Sequence, residues 1–259
     1  MTWRPKFSPL VLCLFMFTGI QAQTAQNAPS LPAPHPGLGL PAKQTLSYMV
    51  DWRVFPAGMA TFHEEADGDT QRITVTADST GAVNLIYRVS DRFQSSFNRR
   101  TGCSMEFSKQ TIEGRRQVNS DLKFNYAQNK ALLEEKNLVS GISKHQEAQI
   151  PPCVTDLLSA IFYAASQPLQ VGQSFQVPVH DAMKTIPVTM KVEGKESVRT
   201  PSGTYQTVRV QPTADAGVVK NRGNIWIWYT DDDRHMPVQM RARLFWGTIT
   251  FQLASAESK

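Results

Sequence analysis

The residues best suited to chemistry in this 259-residue sequence lie in three short stretches, each placing a histidine beside carboxylates. WIWYTDDDRHMPVQM, residues 226–240, sets Asp231, Asp232 and Asp233 close to His235; FHEEA sets His63 before Glu64 and Glu65; VPVHDAM sets His180 before Asp181. Such groups could hold a divalent cation or relay a proton if they converged on one point. Their spacing argues against convergence. Successive strand residues point to opposite faces, so three consecutive aspartates reach one ion only if the loop folds back on itself. The Ca²⁺ loop pattern D-x-[DN]-x-[DN]-G is absent, as is the second histidine of H-E-x-x-H. No G-x-S-x-G, G-x-x-x-x-G-K-[ST] or dinucleotide glycine fingerprint occurs either. The motifs therefore nominate no catalytic residue, metal ligand or cofactor. DDDRHM instead has the length and residue types of a hairpin loop between strands at Trp226–Thr230 and Pro237–Phe245.

Apolar residues carry more information. In NIWIWYT one strand face holds Ile225, Ile227 and Tyr229 while the other holds Trp226 and Trp228, so both faces prefer to leave water. ARLFWGTITF repeats the condition, with Leu244 and Trp246 opposite Phe245. A curved sheet buries one face; the other requires a helix, loops or a ligand. Two readings stay open, a core filled by side chains and a concavity holding one apolar molecule. On the second, Trp52, Trp226, Trp228 and Trp246 are the candidate ligand contacts.

These residues need strands to carry them. RITVTADST, IPVTMKVEG and TYQTVRVQP alternate apolar and polar residues, as half-buried antiparallel strands do. TLSYMVDWRVF, MATFHEEA, RFQSSFN, SMEFSKQTI, QVNSDLKFNY, ALLEEKNL and SFQVPV add further strands, separated by turn signals such as PAG, DGD and PSG. VTDLLSAIFYAASQP breaks the period: Leu157, Leu158, Ile161, Phe162 and Ala165 form a helical stripe, with Thr155 or Asp156 to cap it and Pro168 to stop it. GAVNLIYR near Val83 suggests one more helical turn. The expected architecture is mainly β, a strongly curved antiparallel sheet or open barrel of about a dozen strands wrapped around one amphipathic helix at 155–166.

The chain ends define the rest. Arg4 and Lys6, then the apolar run Leu10–Ile20, then Ala22 read as a secretory signal peptide over residues 1–22. The run is short for a bilayer span, and Leu12 before Cys13 does not suit lipidation. Residues 23–43 carry Pro29, Pro32, Pro34, Pro36 and Pro41 and read as an extended tether. A single β-rich domain at 44–254 and a tail at 255–259 follow. Cleavage after Ala22 removes two basic residues and takes the formal charge from +5 to +3, spread too evenly along the chain to suggest nucleic acid. Cys103 and Cys153 are then a disulfide or two buried thiols; an exported protein favours the bridge.

PPCVTDLLSAIFYAASQPLQVGQSF, TPSGTYQTVRVQP, WYTDDDRHMPVQM and GTITFQL, in that order, resemble the bacterial domain-of-unknown-function family 3108. The resemblance spans Gln44 to Leu253 and implies an exported protein with no assigned activity. It also implies an architecture similar to the lipoprotein-carrier proteins LolA and LolB, a curved sheet around a helix with an apolar concavity. Three functions are consistent with these readings. First comes a periplasmic or otherwise exported carrier or binding module for a lipid or other apolar ligand. An envelope-assembly protein that binds another envelope protein is second. Third is a hydrolase or sugar-active enzyme using dispersed carboxylates with His180 or His235.

Overall fold

The computed structural model describes residues 31–36, 40–215, 219, 224–245 and 247–258. The expected leader at 1–22 and Trp246 lie outside the described residues. Alternating segments form β1 (Lys43–Trp52), β2 (Phe55–Asp67), β3 (Thr70–Ser79), β4 (Ser90–Asn98), β5 (Ser104–Glu113), β6 (Arg116–Asn125) and β7 (Lys130–Asn137). They continue as β8 (Ser143–Gln149), β9 (Ser174–Asp181), β10 (Lys184–Thr200), β11 (Gly203–Thr213), β12 (Asn224–Thr230), β13 (Pro237–Leu244) and β14 (Gly247–Ser258). Helix α1 (Gly81–Ile86) lies between β3 and β4, and α2 (Ser159–Ala165) between β8 and β9.

All fourteen strands form one sheet in the order β8-β7-β6-β5-β4-β3-β2-β1-β14-β13-β12-β11-β10-β9. Two meanders thus meet where the first strand pairs antiparallel with the last, Tyr48 opposite Leu253 and Trp52 opposite Ile249. The sheet is curved and not closed. Its concave face presents Leu46, Tyr48, Phe62, Ile73, Phe97 and Tyr229 to a core that contains α2. The Tyr229 hydroxyl donates to the Ile161 carbonyl at 2.8 Å, fastening the helix to β12.

Helix α2 is shorter than its sequence stripe suggests and is covered on nearly every side. Ser159, Ala160, Phe162, Tyr163, Ala164 and Ala165 are buried, because the sheet curves around the helix rather than lying under one face. Its entry is held by Asp156, whose Oδ1 accepts from the N–H groups of Leu158 (2.8 Å) and Ser159 (2.9 Å). Ser159 Oγ in turn accepts from the Asp156 N–H at 3.0 Å, a reciprocal cap. Asp156 Oδ2 accepts from Ser95 and Ser104, both at 2.7 Å, and so ties the helix to β4 and β5. Thr155, the other capping candidate, forms a parallel bridge to Val179 of β9 instead.

Three sequence expectations require correction, and one strand was not expected at all. Residues 255–258, expected as tail, are the end of β14, with Ser258 opposite Gln44. The proline-rich stretch touches the core: Leu31 is only 8% exposed, and the Tyr163 hydroxyl donates to the Pro32 carbonyl at 2.8 Å. ARLFWGTITF is not one two-faced strand, since Leu244 pairs with Gly247 across a tight turn that leaves Phe245 in solvent. SKHQEAQ has no alternation yet forms β8, an exposed edge strand with no apolar face to write into the sequence.

Candidate functional site

The carboxylate–histidine stretches disperse in the fold. DDDRHM is the β12–β13 connection, and its aspartates are engaged separately. Asp231 pairs with Lys195 at 2.7 Å, while Asp232 accepts from Thr230 Oγ1 (2.7 Å) and from Arg234 Nη2 (2.6 Å). Burial pushes the Asp232 carboxyl up, but the bonds from Arg234 and Thr230 and the Arg234 charge outweigh it and hold it below its ordinary value. His235 Nδ1 donates to the Ala165 carbonyl at 2.9 Å, closing the end of α2. Among the described residues, no group of three or more His, Cys, Asp or Glu side chains is arranged to hold a metal ion.

His180 is buried between Thr185 Oγ1 (2.9 Å from Nδ1) and the Ala182 carbonyl (3.1 Å from Nε2). Burial lowers its pKa, and its ring meets Phe124 edge-on with centroids 5.7 Å apart. On β2, His63 and Glu65 face outward while Glu64 faces the core and is fully buried. Glu64 Oε1 accepts from Gln44 Nε2 at 3.0 Å, but Oε2 has no hydrogen-bond partner. Desolvation raises this carboxyl to about 8 against the opposing Gln44 bond. Gln71 of β3, its diagonal neighbour on the same face, is also fully buried, with Oε1 unpartnered.

The tryptophans divide. Tyr229 reaches α2 through its hydroxyl, whereas Trp228 meets the charged side chains of Glu196 and Arg241 on the convex side. Trp228 is buried there by polar neighbours: its Nε1 donates to Glu196 Oε1 at 2.8 Å, and the Arg241 guanidinium lies 5.3 Å from its ring centre. Arg209 bonds both Glu193 (2.8 Å) and Glu196 (2.7 Å) beside it. Trp228 is therefore part of a satisfied surface lattice, and Trp226 is half-buried on the same side. Trp52, with the Arg53 guanidinium 5.6 Å over its ring, stands at the end of β1 among exposed apolar residues.

That last environment was missed by reading strand faces alone. In an antiparallel meander alternate connections share one end of the sheet, and here most of the largest exposed apolar side chains belong to that shared end. Val54 and Phe55 lie at the β1–β2 turn, Leu85 and Ile86 on α1, Val139 at the β7–β8 turn and Phe245 at the β13–β14 turn. The connections touch in series. Arg53 N–H donates to Thr248 O (2.7 Å), Thr80 N–H to Ala57 O (2.9 Å), Gly114 N–H to Arg88 O (2.8 Å), and Leu138 N–H to Gln117 O (2.9 Å).

A curved, unclosed antiparallel sheet with a buried helix defines a β-barrel-like protein. Within that class the chain belongs to the DUF3108 family, described as "Protein of unknown function (DUF3108)", whose model matches residues 47–254. No curated protein sequence matches it. Its structure is similar to a β-barrel-like protein of domain of unknown function DUF1849 from Brucella abortus, with 9% identity and a TM-score of 0.55 over 85% of this chain and 99% of that one. A protein described as exported, with a YmcC-like fold, from Bacteroides fragilis aligns at 8% identity and a TM-score of 0.39, covering 85% and 98% of the two chains. One described as a lipoprotein, from Parabacteroides distasonis, aligns at 8% and 0.36, covering 84% and 97%. The first of these likenesses establishes a shared fold and nothing about activity.

Proposed function

We propose that this protein is an exported, non-catalytic binding or carrier module of the cell envelope whose ligand is a lipid or another apolar molecule. The observation that carries the reading is the apolar rim. A barrel-like protein that leaves Phe245 99%, Leu85 88% and Ile86 86% exposed at one end has a surface complementary to hydrocarbon there. Trp52 belongs to this rim and is the tryptophan retained as a ligand contact. The Cys103–Cys153 disulfide supports an oxidising compartment such as the periplasm. His180 and His235, the residues an enzyme would need, are occupied by internal hydrogen bonds, which favours binding over catalysis.

Native mass spectrometry of detergent-free protein with a panel of lipids tests the reading. One amphipathic molecule should be retained or acquired, and uptake should survive high salt because apolar burial drives it. Folded protein that stays empty across the panel would overturn the carrier reading and move an envelope-assembly role to first place.

A further inference from the structure

The proline-rich segment ahead of β1 lies against the end of the sheet opposite the apolar rim, and side chains there reach for its backbone. Proline offers a carbonyl but no N–H, so a chain with prolines at 32, 34, 36 and 41 presents mostly acceptors. Three side-chain donors meet them. The Tyr163 hydroxyl donates to the Pro32 carbonyl (2.8 Å), Arg99 Nη2 to the Leu40 carbonyl (2.6 Å) and Gln71 Nε2 to the Pro41 carbonyl (3.3 Å). His35, between two prolines, gives its N–H to the Ser166 carbonyl at the end of α2 (2.9 Å). Of residues 31–36 only Leu31 is fully buried. The segment is thus held by one apolar side chain and by contacts that read its main chain, as extended proline-rich peptides are held in aromatic-lined grooves.

The seat for Leu31 belongs to the body of the protein. Gly102 lies under both Leu31 and Tyr163 with φ +75°, and a Cβ there would come within 2.7 Å of the Tyr163 ring and 3.1 Å of the Leu31 side chain. Glycine alone leaves the seat open. The turn that carries it is fixed without help from the segment. Asn98 Oδ1 accepts from the N–H groups of Arg100 (2.9 Å) and Thr101 (3.1 Å), and the Asn98 carbonyl accepts from the Gly102 N–H (2.8 Å). The next residue, Cys103, is bridged to Cys153. The facing wall, the end of α2, is held by the His235 bond to the Ala165 carbonyl. The groove is therefore preorganised and persists when the segment leaves it. A single buried leucine and a few hydrogen bonds make that departure a local event, separate from unfolding.

We propose that the groove between the β4–β5 connection and the end of α2 is a docking site for an extended peptide carrying a leucine followed by prolines, occupied here in cis by residues 31–36 and open to a segment of the same chemistry on a partner protein when they leave. This site stands apart from the lipid reading and does not depend on it. The test is fluorescence anisotropy of a labelled LPAPHP peptide, the sequence of residues 31–36, titrated with the exported full-length protein. Wild type should bind it about tenfold more weakly than Leu31→Ser protein, whose own segment no longer competes. In the Leu31→Ser background, Tyr163→Phe should weaken binding about fivefold by removing the donor to the Pro32 carbonyl. A peptide with serine in place of its leucine should not bind. In wild type, the His35 amide should exchange with solvent far faster than amides at the β1–β14 centre, reporting release of the segment without unfolding. Four results would each overturn the proposal. They are no peptide binding by Leu31→Ser protein that still melts cooperatively, equal binding of the leucine and serine peptides, His35 exchange as slow as that of the β1–β14 centre, and a wild-type dimer that Leu31→Ser converts to monomer, which would make the groove a place of exchange between copies. Should Leu31→Ser fail to fold, the His35 exchange rate in wild type decides alone.

Discussion

Glu64 is the residue at which burial and charge conflict most. The inward positions of β2 are Ala60, Phe62 and Glu64, so the strand's own alternation delivers a carboxyl to the core. There it gains one hydrogen bond and leaves one oxygen unpartnered, and the missing solvation raises its pKa from 4.5 to about 8. Between those pH values the folded protein keeps a proton that the unfolded chain releases. The contribution of this carboxyl to stability is thus greatest below pH 4.5 and falls as pH rises toward 8, by up to about 5 kcal/mol over the window. Glu64→Gln should flatten that dependence and raise the melting temperature at pH 8, measured by thermal unfolding across the range. A wild-type profile with no decline between pH 5 and 8 would show that this carboxyl is not the buried acid described. The sequence displayed the residue but not its state, because His63, Glu64 and Glu65 look alike in a string and only the register puts the middle one inside. Asp232 shows the opposite case. It was legible as a turn residue, and the loop uses it so, which makes Asp231→Asn and Asp233→Asn expected to be nearly neutral. Asp232→Ala should cost about 1 kcal/mol in a denaturant titration, by removing the acceptor for Thr230 and Arg234.

Helix α2 has only seven residues and depends on its attachments more than on its propensity. Two attachments act at its entry, the Asp156 network and the Cys103–Cys153 disulfide, which joins the chain just before β5 to the segment leading into the helix across a separation of 50 residues. The chain-entropy model gives such a bridge about 4 kcal/mol. Asp156→Ala would leave two buried serine hydroxyls and two helix N–H groups without their acceptor, at about 3–5 kcal/mol. Combining it with Cys103→Ser and Cys153→Ser should cost less than the sum, because both anchor one segment, and a double-mutant cycle in denaturant measures the shortfall. Strict additivity would mean that the two act on separate elements. The helix and the period-two strands were readable because burial wrote them into the sequence. β8 was not readable, since a solvent-facing edge needs no apolar periodicity, and the β13–β14 turn was hidden because Leu244, Phe245 and Trp246 continue the apolar run. The rim was hidden for a related reason: Val54, Leu85 and Phe245 are far apart in sequence, and only the pairing order brings their connections to one end.

At the scale of the molecule, the question is how an open sheet avoids two adhesive edges. The two ends are treated differently. β8 carries Lys144, His145, Gln146 and Glu147 and remains exposed, a charged edge that discourages pairing with another chain. β9 is covered from within by the segment entering α2: Thr155 N–H donates to the Pro178 carbonyl (2.9 Å), and His180 N–H donates to the Thr155 carbonyl (2.8 Å). The same segment reaches the other meander, where the Ser104 N–H donates to the Val154 carbonyl at 2.8 Å. A few residues of irregular chain thus join the edge strand β9 to β5, an interior strand of the other meander. Hydrogen exchange should resolve this asymmetry, with the His180 amide exchanging slowly and unpaired edge amides of β8 exchanging fast. Thr155→Pro removes the donor to Pro178 and should accelerate exchange along β9 while leaving the β1–β14 centre protected, because no other strand pairing passes through that position. Uniform acceleration across all strands would instead mean that the sheet opens as one cooperative unit, with the segment at 154–156 holding the whole curve closed rather than a single edge.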